Sequence, residues 1–214
     1  MKRIVFCTEL GGNYGHVSGL LELSRNLCGQ EDELIFVLCN MAVAPLLGED
    51  VSCVQVPLPN VVPADKDSYS YAGLLGLLGY DDESVLTDYL TRWRNLLAGA
   101  DLVIADHAPS ALLAAQSLGI DCAAVGTGFV IPPPDMPLFN PGLAPDKDPA
   151  PHILATINRV MDRLSAPRLE KLGDIFTRSR QFLCTFPELD HYGMRAGTDY
   201  WGPLYSEHMG EIFT

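Results

Sequence analysis

The chain has 214 residues, 48% of them hydrophobic and 19% charged, which suits one large or two small globular domains and argues against a disordered chain. A formal net charge of −13 argues against nucleic acid as a partner, so an anionic ligand would have to be held by local dipoles. No run approaches the roughly 20 apolar residues of a membrane helix. The apolar run after Lys2 and Arg3 is shorter than a secretion signal's core of about 7–15 residues. A cytoplasmic protein with reduced, structural cysteines is the expectation.

Ile4, Val5, Phe6 and Cys7 form an apolar run that reads as a buried parallel strand. A glycine-dense turn follows, Gly11-Gly12-Asn13-Tyr14-Gly15-His16. Val17, Leu20, Leu21, Leu23 and Leu27 then recur at helical spacing. Together these make the first half of a βαβ unit, whose turn lies at the carboxyl end of the sheet beside a helix N-terminus. A second strand is predicted over residues 33–39, a short helix over 41–47, and a third strand over 51–56, stopped by Pro57 and Pro59. Residues 60–80 are less regular, with glycines breaking a helical pattern. A long helix over 82–97 has an acidic first turn.

The next strand, 100–105, ends at Asp106, and Pro109 suits the first turn of a helix reaching residue 118. A strand over 121–125 runs into Gly126-Thr127-Gly128-Phe129 and a proline-dense loop. Residues 152–164 have helical periodicity, Pro167 ends or kinks that helix, and 169–180 resume it. A strand over 181–185, the turn Pro187-Glu188-Leu189 and residues 200–204 close the order. Strands alternating with helices imply an α/β fold, a doubly wound parallel sheet with helices on both faces. One domain is expected over residues 1–204, with 205–214 the start of a linker.

The glycine turn has a plain reading, a tight connection for which glycine is the default residue. A dinucleotide site is disfavoured, because the spacing is G-G-x-x-G and the second strand ends at Asn40, not in an acid that would hold a ribose. His16 stands at the helix start, and an imidazole that titrates near pH ~6.5 suits a general base. Asp106 closes another strand at the same end of the sheet. The plainer alternatives are a surface histidine and a carboxylate that caps the next helix. His107 competes for the role, although strand neighbours point to opposite faces. Glu9 could reach the same cleft but has no obvious partner. His16, His107, His152, His191 and His208 show no paired metal-ligand spacing, so no metal is expected.

Four segments resemble, in order, the GT-B glycosyltransferases of the nucleotide-sugar-dependent macrolide, flavonoid and glucuronosyl type. ELGGNYGHVSGLLELSRNL is similar to their opening strand, glycine turn and G-H-x-x-P-like helix start, with Gly19 where the family usually has proline. ADLVIADHAPSALLAAQSLGI resembles their later strand ending in Asp, and GTGFVIPPPDMPLFN a loop of bacterial members. FLCTFPELDHY followed by YWGPL is similar to the end of their N-terminal half.

The resemblance implies a Rossmann-like, acceptor-binding half of an inverting glycosyltransferase. His16 would be the base that deprotonates an acceptor hydroxyl, and Asp106 would orient it. Gly12, Asn13 and Gly15 would allow close approach of the donor. Tyr69, Tyr71, Leu74, Leu75, Phe129, Ile131, Met136 and Phe139 would line an apolar acceptor cleft, unless they are ordinary core. The resemblance implies no cofactor, only a UDP- or dTDP-sugar co-substrate and a small-molecule acceptor. The C-terminal donor-binding domain would be absent, leaving this half with little activity alone. The alternatives are a non-catalytic subunit of a split glycosyltransferase and, ranked last, a nucleotide-binding oxidoreductase.

Overall fold

The computed structural model describes residues 1–11, 14–48, 51–59, 69–140 and 148–204. Its six strands are β1 (Arg3–Thr8), β2 (Glu33–Leu38), β3 (Ser52–Gln55), β4 (Leu102–Asp106), β5 (Asp121–Gly126) and β6 (Arg180–Leu183). All neighbours pair in parallel, in the order β3-β2-β1-β4-β5-β6. This is the doubly wound, Rossmann-like order, in which the winding reverses between β1 and β4. At that reversal Thr8 is in register with Asp106, so the two strand ends stand side by side.

The alternation of β1 explains why it is central. Val5 and Cys7 point into one core and Ile4 and Phe6 into the other, all nearly inaccessible to solvent. Helix α1 (Tyr14–Leu27) and a 3-10 helix (Met41–Leu47) cover the second of these faces with Val17, Leu20, Leu21, Val43 and Leu47. Phe6 stacks on Phe36 there, ring centres 5.0 Å apart. The opposite face carries α2 (Tyr71–Leu77), α3 (Glu83–Leu97), α4 (Pro109–Leu118), α5 (Ala150–Arg163) and the short α6 (Asp174–Thr177). Leu86, Leu90, Trp93 and Leu97 form the buried stripe of α3 at helical spacing, each such apolar side chain contributing roughly 1.5–3 kcal/mol. Asp82 caps α3, accepting from the Ser84 and Val85 amides, and Asn40 caps the 3-10 helix through the Ala42 amide.

One stretch departs from the sequence reading. The helix expected over residues 169–180 survives only as α6. Asn158 accepts from the Leu169 amide and donates to its carbonyl, while Asp174 takes the Glu170 and Lys171 amides. Side chains thus claim the backbone groups that a continuous helix would need. Residues 200–204, which close the order, run beside β6. Tyr200 makes one parallel bridge to Leu183, and the Trp201 amide donates to the Leu183 carbonyl. Gly19 lies inside α1, where an added Cβ would come within 3.4 Å of Leu204. No helix among the described residues is long and apolar enough to cross a membrane.

Candidate active site

The sheet reversal brings His16 and Asp106 together from opposite sides of the crevice. His16 is the third residue of α1, and Asp106 is the last residue of β4. Nδ1 of His16 lies 2.9 Å from Oδ1 of Asp106, with the side chains 24% and 11% exposed. An ionised carboxylate can only accept, so Nδ1 carries the proton and Nε2 keeps the lone pair. The hydrogen bond to Asp106 raises the His16 pKa, burial opposes it, and the carboxylate's charge adds to the rise. Burial raises Asp106 in turn, while His16 pulls it back. The pair lines a cleft of about 330 Å³ together with Gly15, Gly126, Thr127, Cys184 and Leu204.

Two glycines that the sequence reading did not single out as site residues set the spacing. Gly11 has φ +89°, and a Cβ there would sit 2.5 Å from His16 Nε2. Gly126 has φ +139°, and its Cβ would lie 2.9 Å from Asp106 Oδ1. Both backbones back directly onto the pair, which only a residue without a side chain permits. Gly11→Ala is expected to cost roughly 1–2 kcal/mol for its left-handed conformation and to swing the imidazole off Asp106, lowering the His16 pKa. A urea melt and an imidazole NMR titration read both effects, and no change in either would refute the close approach.

His107 does not stay in the strand. Its φ of 51° turns the chain out of β4, and its ring lies 5.7 Å from that of His16. Burial, then the nearby His16, pushes its pKa down to about 3, so it stays neutral and is unsuited to hold a proton at neutral pH. Glu9 does have a partner, contrary to the sequence reading. It is 3% exposed and accepts from the Ser110 amide (2.9 Å) and hydroxyl (2.6 Å). These two residues are 101 positions apart, so no local pattern could have revealed the bond.

Burial lifts the Glu9 pKa from 4.5 to about 7, against hydrogen bonds from Ser110 and Tyr89. The folded state therefore holds a proton that the unfolded chain releases, and stability falls as pH rises. The loss begins above pH ~4.5 and is complete past pH ~7, amounting to about 3 kcal/mol at about 1.4 kcal/mol per unit. Glu9→Gln should flatten this slope in urea melts at pH 5 and 7.5; an unaltered slope would mean that Glu9 titrates normally.

The predicted acceptor residues divide. Phe129 and Phe139 pack together at 5.1 Å, and Phe129 reaches His107 at 5.7 Å and hence the His16 side. Tyr71 is fully buried, edge-on to Phe176 and 6.3 Å from the His107 ring. The Tyr69 carbonyl accepts from the Phe139 amide. Leu75 and Ile131 are 0% and 1% exposed and belong to the core, with Leu74 packed against it. Met136 lines a separate groove of about 570 Å³ between residues 134–138, α2 and α5. Gly12 and Asn13 lie outside the described residues. His191 joins the cluster unforeseen, its ring 5.1 Å from Phe129, and Asp190 beside it pairs with Arg195. Among the described residues no group of three His, Cys, Asp or Glu could hold a metal ion.

No family model matches this sequence, and no curated protein matches it. Among solved structures, the glycotransferase of kitacinnamycin is similar over 100% of this chain and 55% of its own, with a TM-score of 0.58 at 16% identity. SnogD from Streptomyces nogalater matches 87% of this chain and 45% of its own (TM-score 0.47, 18% identity). SsfS6 from Streptomyces sp. SF2575 matches 88% and 51% (TM-score 0.48, 13% identity). This chain thus spans about half the length of the structures it matches. The first of these likenesses concerns architecture: the chain has the Rossmann-like fold of one half of a GT-B glycosyltransferase.

Proposed function

We propose that this chain is the acceptor-binding half of an inverting, nucleotide-sugar-dependent glycosyltransferase. The observation that carries the reading is the 2.9 Å contact between His16 and Asp106 at the sheet reversal, where an open α/β sheet presents its ligand site. Nε2 of His16 takes the proton of an acceptor hydroxyl. The freed oxygen attacks the anomeric carbon of the donor sugar, and the bond to the nucleoside diphosphate breaks with its electron pair. Asp106 stabilises the imidazolium that results. Gly12, Asn13 and Gly15 allow the donor's sugar or phosphate to approach, and Phe129 and Phe139, partly buried where Tyr71 is sealed in the core, offer the acceptor an aromatic wall. A donor-binding half supplies most contacts to the UDP- or dTDP-sugar, in a longer protein or a partner chain.

The test is sugar transfer by this chain combined with a donor-binding half, before and after His16→Ala. Loss of transfer with an unchanged circular dichroism spectrum supports the reading; retained transfer overturns it.

A further inference from the structure

Asp106 holds His16 in place, but Asp106 itself sits at the start of a strained turn. His107, the next residue, has a left-handed φ of 51°, a strained conformation for a non-glycine residue that persists only when neighbouring structure over-determines it. Two contacts from the β1 side hold that residue and the helix start after it. The Leu10 amide donates to the His107 carbonyl at 3.0 Å. Glu9 accepts from both the amide and the hydroxyl of Ser110. Helix α4 has no side-chain cap of its own, since Ala108 occupies that position. Glu9 therefore caps α4 from just beyond the end of β1 and places a carboxyl group where the helix dipole favours one.

Ser110 has a single hydroxyl proton. With Glu9 ionised that proton goes to the carboxylate, so Tyr80, 2.6 Å away, donates to Ser110. Tyr80 and Ser110 are both 0% exposed, so this chain of bonds is sealed from water. Glu9 is also the first residue after β1, two positions before Gly11, whose backbone abuts the His16 ring.

We propose that Glu9 is a positioning residue for the His16–Asp106 pair, clamping the segment after β1, whose Gly11 backs onto the histidine, to the turn that follows the aspartate. The assignment rests on the reading of that pair as base and orienting carboxylate, although its test does not require transfer. By its two hydrogen bonds to Ser110, Glu9 keeps the turn at residue 107 in its strained form. Without them the turn relaxes and Asp106 leaves the imidazole.

The experiment is an NMR titration of the His16 imidazole in the whole ¹⁵N-labelled chain. Wild type and Glu9→Gln, which keeps an acceptor for the amide and a donor for the hydroxyl, are expected to titrate above the ordinary value of about 6.5. Glu9→Leu is expected to return His16 to that value while the circular dichroism spectrum is unchanged. A raised pKa that survives in Glu9→Leu overturns the proposal, as does a fall in Glu9→Gln, because the clamp acts by hydrogen bonding. If Glu9→Leu does not fold, Ser110→Ala removes one of the two bonds. A partial fall then supports the clamp, and no fall overturns it. Should His16→Ala leave transfer intact, the functional reading falls, but the titration still decides whether Glu9 positions the pair.

Discussion

Asp106→Asn is expected to lower the rate of sugar transfer by about 10²–10⁴-fold, with little change in stability. The carboxylate accepts from Nδ1 and so leaves the lone pair on Nε2. An asparagine can present its amide instead, which donates to Nδ1 and moves the proton to Nε2, the atom that must accept. If it presents its carbonyl, the tautomer is kept but the charge that stabilises the imidazolium is lost. In both cases the His16 pKa falls, since the bond and charge of Asp106 are what raise it. His16→Ala should cost as much, and the double variant no more than either single one, because the two side chains act as a unit. Steady-state rates for the three variants, in a protein that includes a donor-binding half, check this. Losses that multiply in the double variant would mean that the two residues act independently, and a wild-type rate for Asp106→Asn would end the proposed mechanism.

Asp190→Ala is expected to destabilise the chain by about 3–5 kcal/mol, the usual cost of stranding one member of a buried ion pair. The Asp190 side chain has no exposure, and that of Arg195 has 13%. Two guanidinium nitrogens reach its two oxygens at 2.9 and 3.1 Å, while the Tyr200 hydroxyl (2.8 Å) and the Tyr192 amide (3.0 Å) donate as well. Burial alone would raise the Asp190 pKa, but these donors hold it below the ordinary carboxylate value. Removing the carboxylate leaves the Tyr192 amide and the Tyr200 hydroxyl without their acceptor and the buried guanidinium without its counter-charge. The same guanidinium donates to the Gly128 carbonyl, so the cluster ties residues 190–200 to the loop that carries Phe129. His191 should then lose its place against Phe129 and Phe139. Chemical denaturation measures the cost; a loss below about 1 kcal/mol would show that water replaces the carboxylate and that the segment is only loosely attached.

Much of the architecture was legible because it follows from local chemistry. The apolar runs at residues 4–7, 33–39 and 100–105 are too short for helices and too continuous for half-exposed strands, and each became a buried strand of the parallel sheet. Pro109 and the stripe of α3 marked their helices for equally local reasons. His16 and Asp106 could be nominated because both fall where a strand meets a helix at one end of the sheet. The helix expected over residues 169–180 failed because Asn158 and Asp174 compete for its backbone, a contest that periodicity cannot register.

What only the tertiary structure decided is which groups meet. The order of the strands places β4 beside β1, and nothing in either segment encodes that adjacency. From it come the 2.9 Å contact of His16 with Asp106, the Glu9–Ser110 clamp and the backbone walls at Gly11 and Gly126. Leu75 and Phe129 look alike in the sequence as candidates for an acceptor wall. One is sealed in the core and the other stands beside His107, because burial is a property of the packed sheet and its helices. The sequence determines its elements through interactions between near neighbours. The site arises from contacts about a hundred residues apart, which form only once those elements pack.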